Sequence, residues 1–138
     1  MQTLSESDRK EIVKYRLEKA ERAYLEAVGS IESGFVETSA NRLYYAAYYA
    51  VSALLIANGI QTKTHNGIIQ QFGLNFIKTK VLERKMGTIY NQLFSLRLTG
   101  DYEDRHSLSL SEDVLPLVEP ARMLIDAVSK LAKAKCNL

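Results

Sequence analysis

A single cysteine, Cys136, stands near the end of the 138-residue sequence. One thiol makes neither an internal disulfide nor a cysteine zinc site, so the fold stands on packing and a reducing compartment suits it. Two prolines and seven glycines leave room for long uninterrupted helices. No run approaches ~18 consecutive apolar residues, so no membrane-spanning helix is expected. The opening "MQTLSESDRKEIVKYR" lacks the apolar core of a signal peptide, and the expectation is a soluble, cytoplasmic protein. His65 and His106 are the two histidines, forty-one positions apart, which is thin support for a metal site. No phosphate-cradling loop, dinucleotide fingerprint, His-Glu-x-x-His or nucleophile elbow occurs, and neither a metal nor a cofactor is expected. A net charge of +2 permits an RNA partner without demanding one, because phosphate binding needs local clustering.

What is present is globular: 46% hydrophobic and 25% charged residues, enough for one domain over residues 1–138. A first helix is expected from Ser7 or Asp8, as caps, to Ser33, with Gly34 as its stop. Val13, Leu17, Ala20, Tyr24, Ala27 and Ile31 form its single apolar stripe. The second, "NRLYYAAYYAVSALLIANG", is apolar on nearly every face and belongs at the centre of the molecule. Four of the eight tyrosines fall within residues 44–49. Their apolar bodies and polar tips suit a helix that meets both the core and a wet cleft or partner. A third helix starts near Thr64 with Ile69, Phe72 and Phe76 inward, and Gly67 and Gly73 imply close approach to a neighbour. The fourth runs from Leu82 to Leu98. "LTGDYEDRHSL" then reads as a polar loop of about ten residues, long for a compact bundle. The last helix opens on a capping box, Ser109 to Glu112, and Pro116 and Pro120 either bend it or delay its regular start. No segment alternates with period two. The fold class is therefore all-α: about five helices, packed up and down, with a long polar loop before the last.

The stripe Met86, Tyr90, Leu93 of the fourth helix ends in Arg97, a permanent cation where leucine would serve packing equally well. Two readings stand. In one, the cation complements the helix dipole, lays its stem on apolar surface and pairs with Asp101 or Asp104. In the other, it holds a ligand. Asn41 either caps the second helix or faces the same cleft as Arg97. His65 falls at a helix N-terminus. The run "KTKVLERK", with Lys78, Lys80, Arg84 and Lys85, is either a phosphate track at a cleft rim or a solvated connector.

"NRLYYAAYYAVSALLIANGI", then "KTHNGIIQQFGLNFIKT", then "LRLTGDYED" together resemble the HEPN domain family. The resemblance is strongest to its small stand-alone members encoded beside a minimal nucleotidyltransferase. It implies an all-helical homodimer and includes metal-independent RNases that act as toxins or defence effectors. In active members an Arg at a helix end is followed, four to six residues on, by a His, and two such pairs share one cleft. The Arg holds the scissile phosphate, and the His assists attack by the neighbouring ribose 2′-OH. Here Tyr102 occupies the His position, and a phenol with a pKa of about 10 is a poor base at neutral pH. His106 falls outside the spacing window. The resemblance thus proposes Arg97, Tyr102 and His106 as catalytic candidates, and Arg97, Asn41, Tyr45, His65 and Lys63 as phosphate or nucleotide contacts. Three outcomes follow: an RNase in which His106, His65 or Tyr102 takes the missing role, a non-catalytic RNA- or nucleotide-binding module, or an interaction subunit of a separately encoded nucleotidyltransferase. In the last case the Tyr102 hydroxyl is itself a target for nucleotide transfer.

Overall fold

The computed structural model describes residues 4–102 and 108–138, which form five helices with no strand among them. Helix α1 (Glu6–Glu32) is capped by Ser5, not by Ser7 or Asp8. The Ser5 hydroxyl accepts the Asp8 N–H at 3.0 Å, and Glu6 and Asp8 sit in the first turn, where the helix dipole favours acids. Gly34 ends the helix with φ +77°. Around it the Phe35 N–H reaches the Ser30 carbonyl at 2.8 Å and the Gly34 N–H reaches Ile31 at 3.0 Å, the paired bonds of a Schellman motif. That tight reversal starts α2 (Val36–Ala57) more than a turn before Asn41 and folds it back along α1. Gly59, with φ +73°, closes α2 in the same way.

The all-round apolar character of α2 is satisfied because it touches each of the other four helices. Leu43, Tyr44, Val51, Leu54 and Leu55 are buried, and Ala46, Ala47, Ala50 and Ala53 are fully covered. Small side chains there let the flanking helices approach closely. From α1 come Val13, Leu17 and Ala20; from α4 come Met86, Tyr90 and Leu93. Removing a side chain such as Leu93 would cost about 2–5 kcal/mol.

Helix α3 (His65–Phe72) is capped by Thr64, whose hydroxyl accepts the Gly67 N–H at 2.9 Å. Its buried residues are Ile68 and Phe72, with Ile69 only half-buried, and it continues into a π turn, Gly73–Ile77, that turns Phe76 inward. The expected close approach at Gly73 is absent, since a Cβ there meets open space. At Gly67 the crowding atom is the capping Thr64 Oγ1, 3.0 Å from where a Cβ would lie, so the neighbour is local.

Helix α4 (Arg84–Tyr102) begins two residues after the expected Leu82 and runs four beyond Leu98. Gly100 lies inside this extension: a Cβ there would stand 3.0 Å from Leu108 Cδ1, but in ordinary contact with Ala40 and Glu37 of α2. Glycine makes room for Leu108, and the expected ten-residue loop loses its first half to helix. After residues 103–107, Ser109 caps a π turn, Leu110–Val114, by accepting the Glu112 N–H at 3.2 Å. Regular helix α5 (Leu115–Cys136) follows, so its start is delayed. Pro116 lies in the first turn, where no N–H bond is lost, whereas Pro120 inside the helix leaves the Pro116 carbonyl without its usual donor. Ala121, Leu124, Ile125, Val128 and Ala132 face the core. No helix of the described residues is long and apolar enough to cross a membrane.

Candidate functional site

Because α4 continues past Leu98, Asp101 stands one turn beyond Arg97 on the same face. The Arg97 Nε donates to Asp101 Oδ2 at 3.0 Å, with the two side chains 13% and 27% exposed. The guanidinium lies on the rings of Tyr44 and Tyr45, 5.7 and 5.5 Å from their centroids. Asn41, one turn before Tyr45 on α2, donates to the same Asp101 oxygen at 3.4 Å. Arg42 in turn donates to Asn41 Oδ1 at 2.8 and 3.1 Å and pairs with Glu26 of α1 at 3.4 Å. Asn41 therefore does not cap α2; it faces Arg97. A planar cation on an aromatic floor, with its Nε donating to a carboxylate, is a group whose chemistry suits phosphate.

His65 enters this site from the N-terminus of α3. Its Nδ1 lies 2.7 Å from the Tyr44 hydroxyl, and its ring packs 4.9 Å from Tyr48 and 5.9 Å from Tyr45. Burial first, and the Arg97 charge second, hold the imidazole below its ordinary value, so it is neutral near pH 7. Burial pushes the Tyr44 hydroxyl up to about 12. A phenol so far from titration keeps its proton, and His65 Nδ1 at 2.7 Å is a well-placed acceptor for it. We therefore assign Tyr44 as donor, which puts the imidazole proton on Nε2. Beneath Tyr44 stacks Tyr90, its ring centroid 6.0 Å away. The Tyr90 hydroxyl is buried without a well-formed hydrogen bond to a described protein group, and burial drives it well above its ordinary value.

The structure thus brings Arg97, Asn41, Tyr45 and His65 together, along with Tyr48 and Phe94, which sequence reasoning did not single out. Tyr48 was within reach of it: Asn41, Tyr45 and Tyr48 are spaced four and three apart, one face of a helix. Lys63 is exposed before α3 and makes no ion pair with a described residue. The "KTKVLERK" run lies at the other end of α4: Arg84 opens the helix and Arg97 comes thirteen residues later, roughly 20 Å away at helical rise. It does not border this site. The backbone of Tyr102 ends α4, but its side chain, like all of Asp104 and His106, lies outside the described residues. Among the described residues no cluster of three His, Cys, Asp or Glu side chains is placed to hold a metal ion.

Comparison with known proteins agrees with this architecture. The profile of the family described as "HEPN domain" matches residues 13–131. A "UPF0332 protein" of Thermotoga maritima is 31% identical over 125 residues, covering 91% of this chain and 94% of the relative. A Methanocaldococcus jannaschii protein named "Putative toxin MJ0605" is 28% identical over 133 residues, 96% of this chain and 98% of that one. A second from the same organism, "Putative toxin MJ0142", is 33% identical over 87 residues, 63% of this chain and 59% of its own length.

Proposed function

Because the chain belongs to the HEPN domain family, we propose that it is a toxin-type RNA-binding protein whose Arg97 holds an RNA phosphate, with His65 and Tyr45 beside it. The observation that carries this reading is the placement of Arg97 on the rings of Tyr44 and Tyr45, with the Tyr44-bound imidazole of His65 in contact with the same rings. The names of the two Methanocaldococcus relatives support the toxin role.

In this reading the guanidinium binds phosphate oxygens as a planar fork, and neutral His65 offers its Nε2–H as a second donor. Two copies meeting around a two-fold axis near the end of α4 bring two such sites into one cleft. Strand cleavage proceeds by attack of a ribose 2′-oxygen on the adjacent phosphorus, with departure of the 5′-oxygen. Arg97 stabilises the charge that builds on the phosphoryl oxygens. The 2′-OH proton needs a base, and His65 with Nδ1 already accepting from Tyr44 is not one. Binding therefore outruns cleavage. Placing the family's imidazole at position 102 supplies the missing group. Metal-free cleavage of single-stranded RNA by Tyr102→His is expected to exceed that of the wild type by ~10²-fold, the scale of general acid–base assistance. The combined variant Tyr102→His/Arg97→Ala should lose that gain. A Tyr102→His protein that binds RNA yet cuts no faster would refute the assignment of position 102.

A further inference from the structure

We infer that the Arg97 site continues into a stacking track for single-stranded RNA, running along the solvent-facing ridge of α2 onto α1. The inference rests on the RNA-binding reading above and adds the form of RNA and its path. From Arg97 the first platform is Tyr45, shared with Arg42, whose guanidinium lies 5.3 Å from the ring centroid. Tyr45 leads to Tyr48 and Tyr49 at 5.5 and 6.0 Å between centroids. Tyr49 carries the Lys19 ammonium 4.6 Å over its ring, and the same ammonium lies 5.4 Å from the ring of Tyr15, which is 57% exposed. Arg16 flanks this end, held by Ser52 at 2.9 Å.

The rest of α2 is largely alanine, leucine and valine turned inward, so its half-exposed tyrosines concentrate on one face. Each of these rings packs on the core with one side and is partly open on the other. Alternating aromatic faces and cations match a flexible polyanion with stacked bases, because every base offers a π-face and every link a phosphate. Of the acids near the track, Glu26 and Asp101 are each already paired with an arginine of it. Lys19 makes no ion pair with a described residue. A duplex is too stiff to lay successive bases on these rings, so the ligand is single-stranded, with about one base per ring over some four rings.

The test is fluorescence anisotropy with labelled oligoadenylates of about two to eight nucleotides, a range that brackets the track. For the wild type, affinity is expected to climb until about four or five nucleotides and then level off. Tyr15→Ala and Lys19→Ala, both on the outer edge and away from the core, should each weaken the longest oligonucleotide about ten-fold and leave the dinucleotide unaffected. Arg97→Ala should weaken every length. Equal affinity at all lengths overturns the track and leaves the Arg97 site standing, whereas no binding by the wild type at any length overturns both. If Tyr15→Ala or Lys19→Ala instead shifts the mass seen by light scattering while RNA affinity holds, the ridge belongs to a second copy of the chain and the track is refuted.

Discussion

Replacing Asp101 by Asn should produce a protein that binds RNA more tightly while being slightly less stable. In the wild type the carboxylate sits 3.0 Å from Arg97 Nε with both side chains largely shielded. Pairs of this i, i+4 kind contribute about 0.3–0.5 kcal/mol on an exposed helix. Partial burial and the second donor, Asn41 at 3.4 Å, raise the expected loss to ~0.5–1 kcal/mol, tempered because Asn keeps an acceptor oxygen. Binding moves the other way. For a phosphate bound by Arg97 at ~7 Å from the carboxylate, two negative charges repel by about 0.6–2.4 kcal/mol between aqueous and near-surface dielectric limits. Screening at ordinary salt halves this, so Asp101→Asn should gain about two- to eight-fold in affinity. Urea unfolding supplies the stability, and anisotropy titration of a short single-stranded RNA supplies the affinity. An affinity that falls along with the stability would refute the reasoning, because it would make the Arg97–Asp101 pair a structural clamp and not a competitor for phosphate.

The remaining expectations concern the floor of the site. His65 should titrate below its ordinary value of about 6.5, and Arg97→Ala should raise it part of the way only, since burial is the larger cause; NMR of the imidazole reads both. The unfolded chain binds that proton more tightly. The His65 contribution to stability is therefore present above about pH 6.5 and is lost as pH falls toward the folded-state value, a slope that His65→Gln should remove. Tyr90→Phe should leave thermal stability unchanged or raise it by up to ~1 kcal/mol, because the hydroxyl removed is buried without a well-formed bond; a loss above that size would show that the hydroxyl is satisfied after all.

The arrangement of the fold was legible wherever hydrophobic pattern alone decides it. A helix apolar on every side, read at residues 41–59, had to be central, and the stripe Met86, Tyr90, Leu93 had to face it. Arg97 stood out because it broke that stripe. What was hidden depended on tertiary contact. The segment after Leu98 read as a loop, yet Gly100 is a helical residue whose missing side chain makes room for Leu108. That misreading concealed the helical register of Asp101 relative to Arg97. The Tyr44–His65 bond joins residues 21 positions apart through the turn after Gly59, and no local signal marks it. Asn41 was ambiguous for a related reason: the true start of α2 lies at Val36, after a Phe35 that makes no side-chain cap.

The most direct test of the account is the affinity of Arg97→Ala for short single-stranded RNA, measured beside its unfolding free energy. Loss of the Asp101 bond and of the contacts with Tyr44 and Tyr45 should cost ~1–2 kcal/mol of stability, leaving a folded protein at room temperature. RNA binding by that folded protein should weaken by ~1.5–3 kcal/mol, the range of a charge-assisted hydrogen bond. A folded Arg97→Ala protein that binds RNA as tightly as the wild type would contradict the central claim and return Arg97 to a purely structural role.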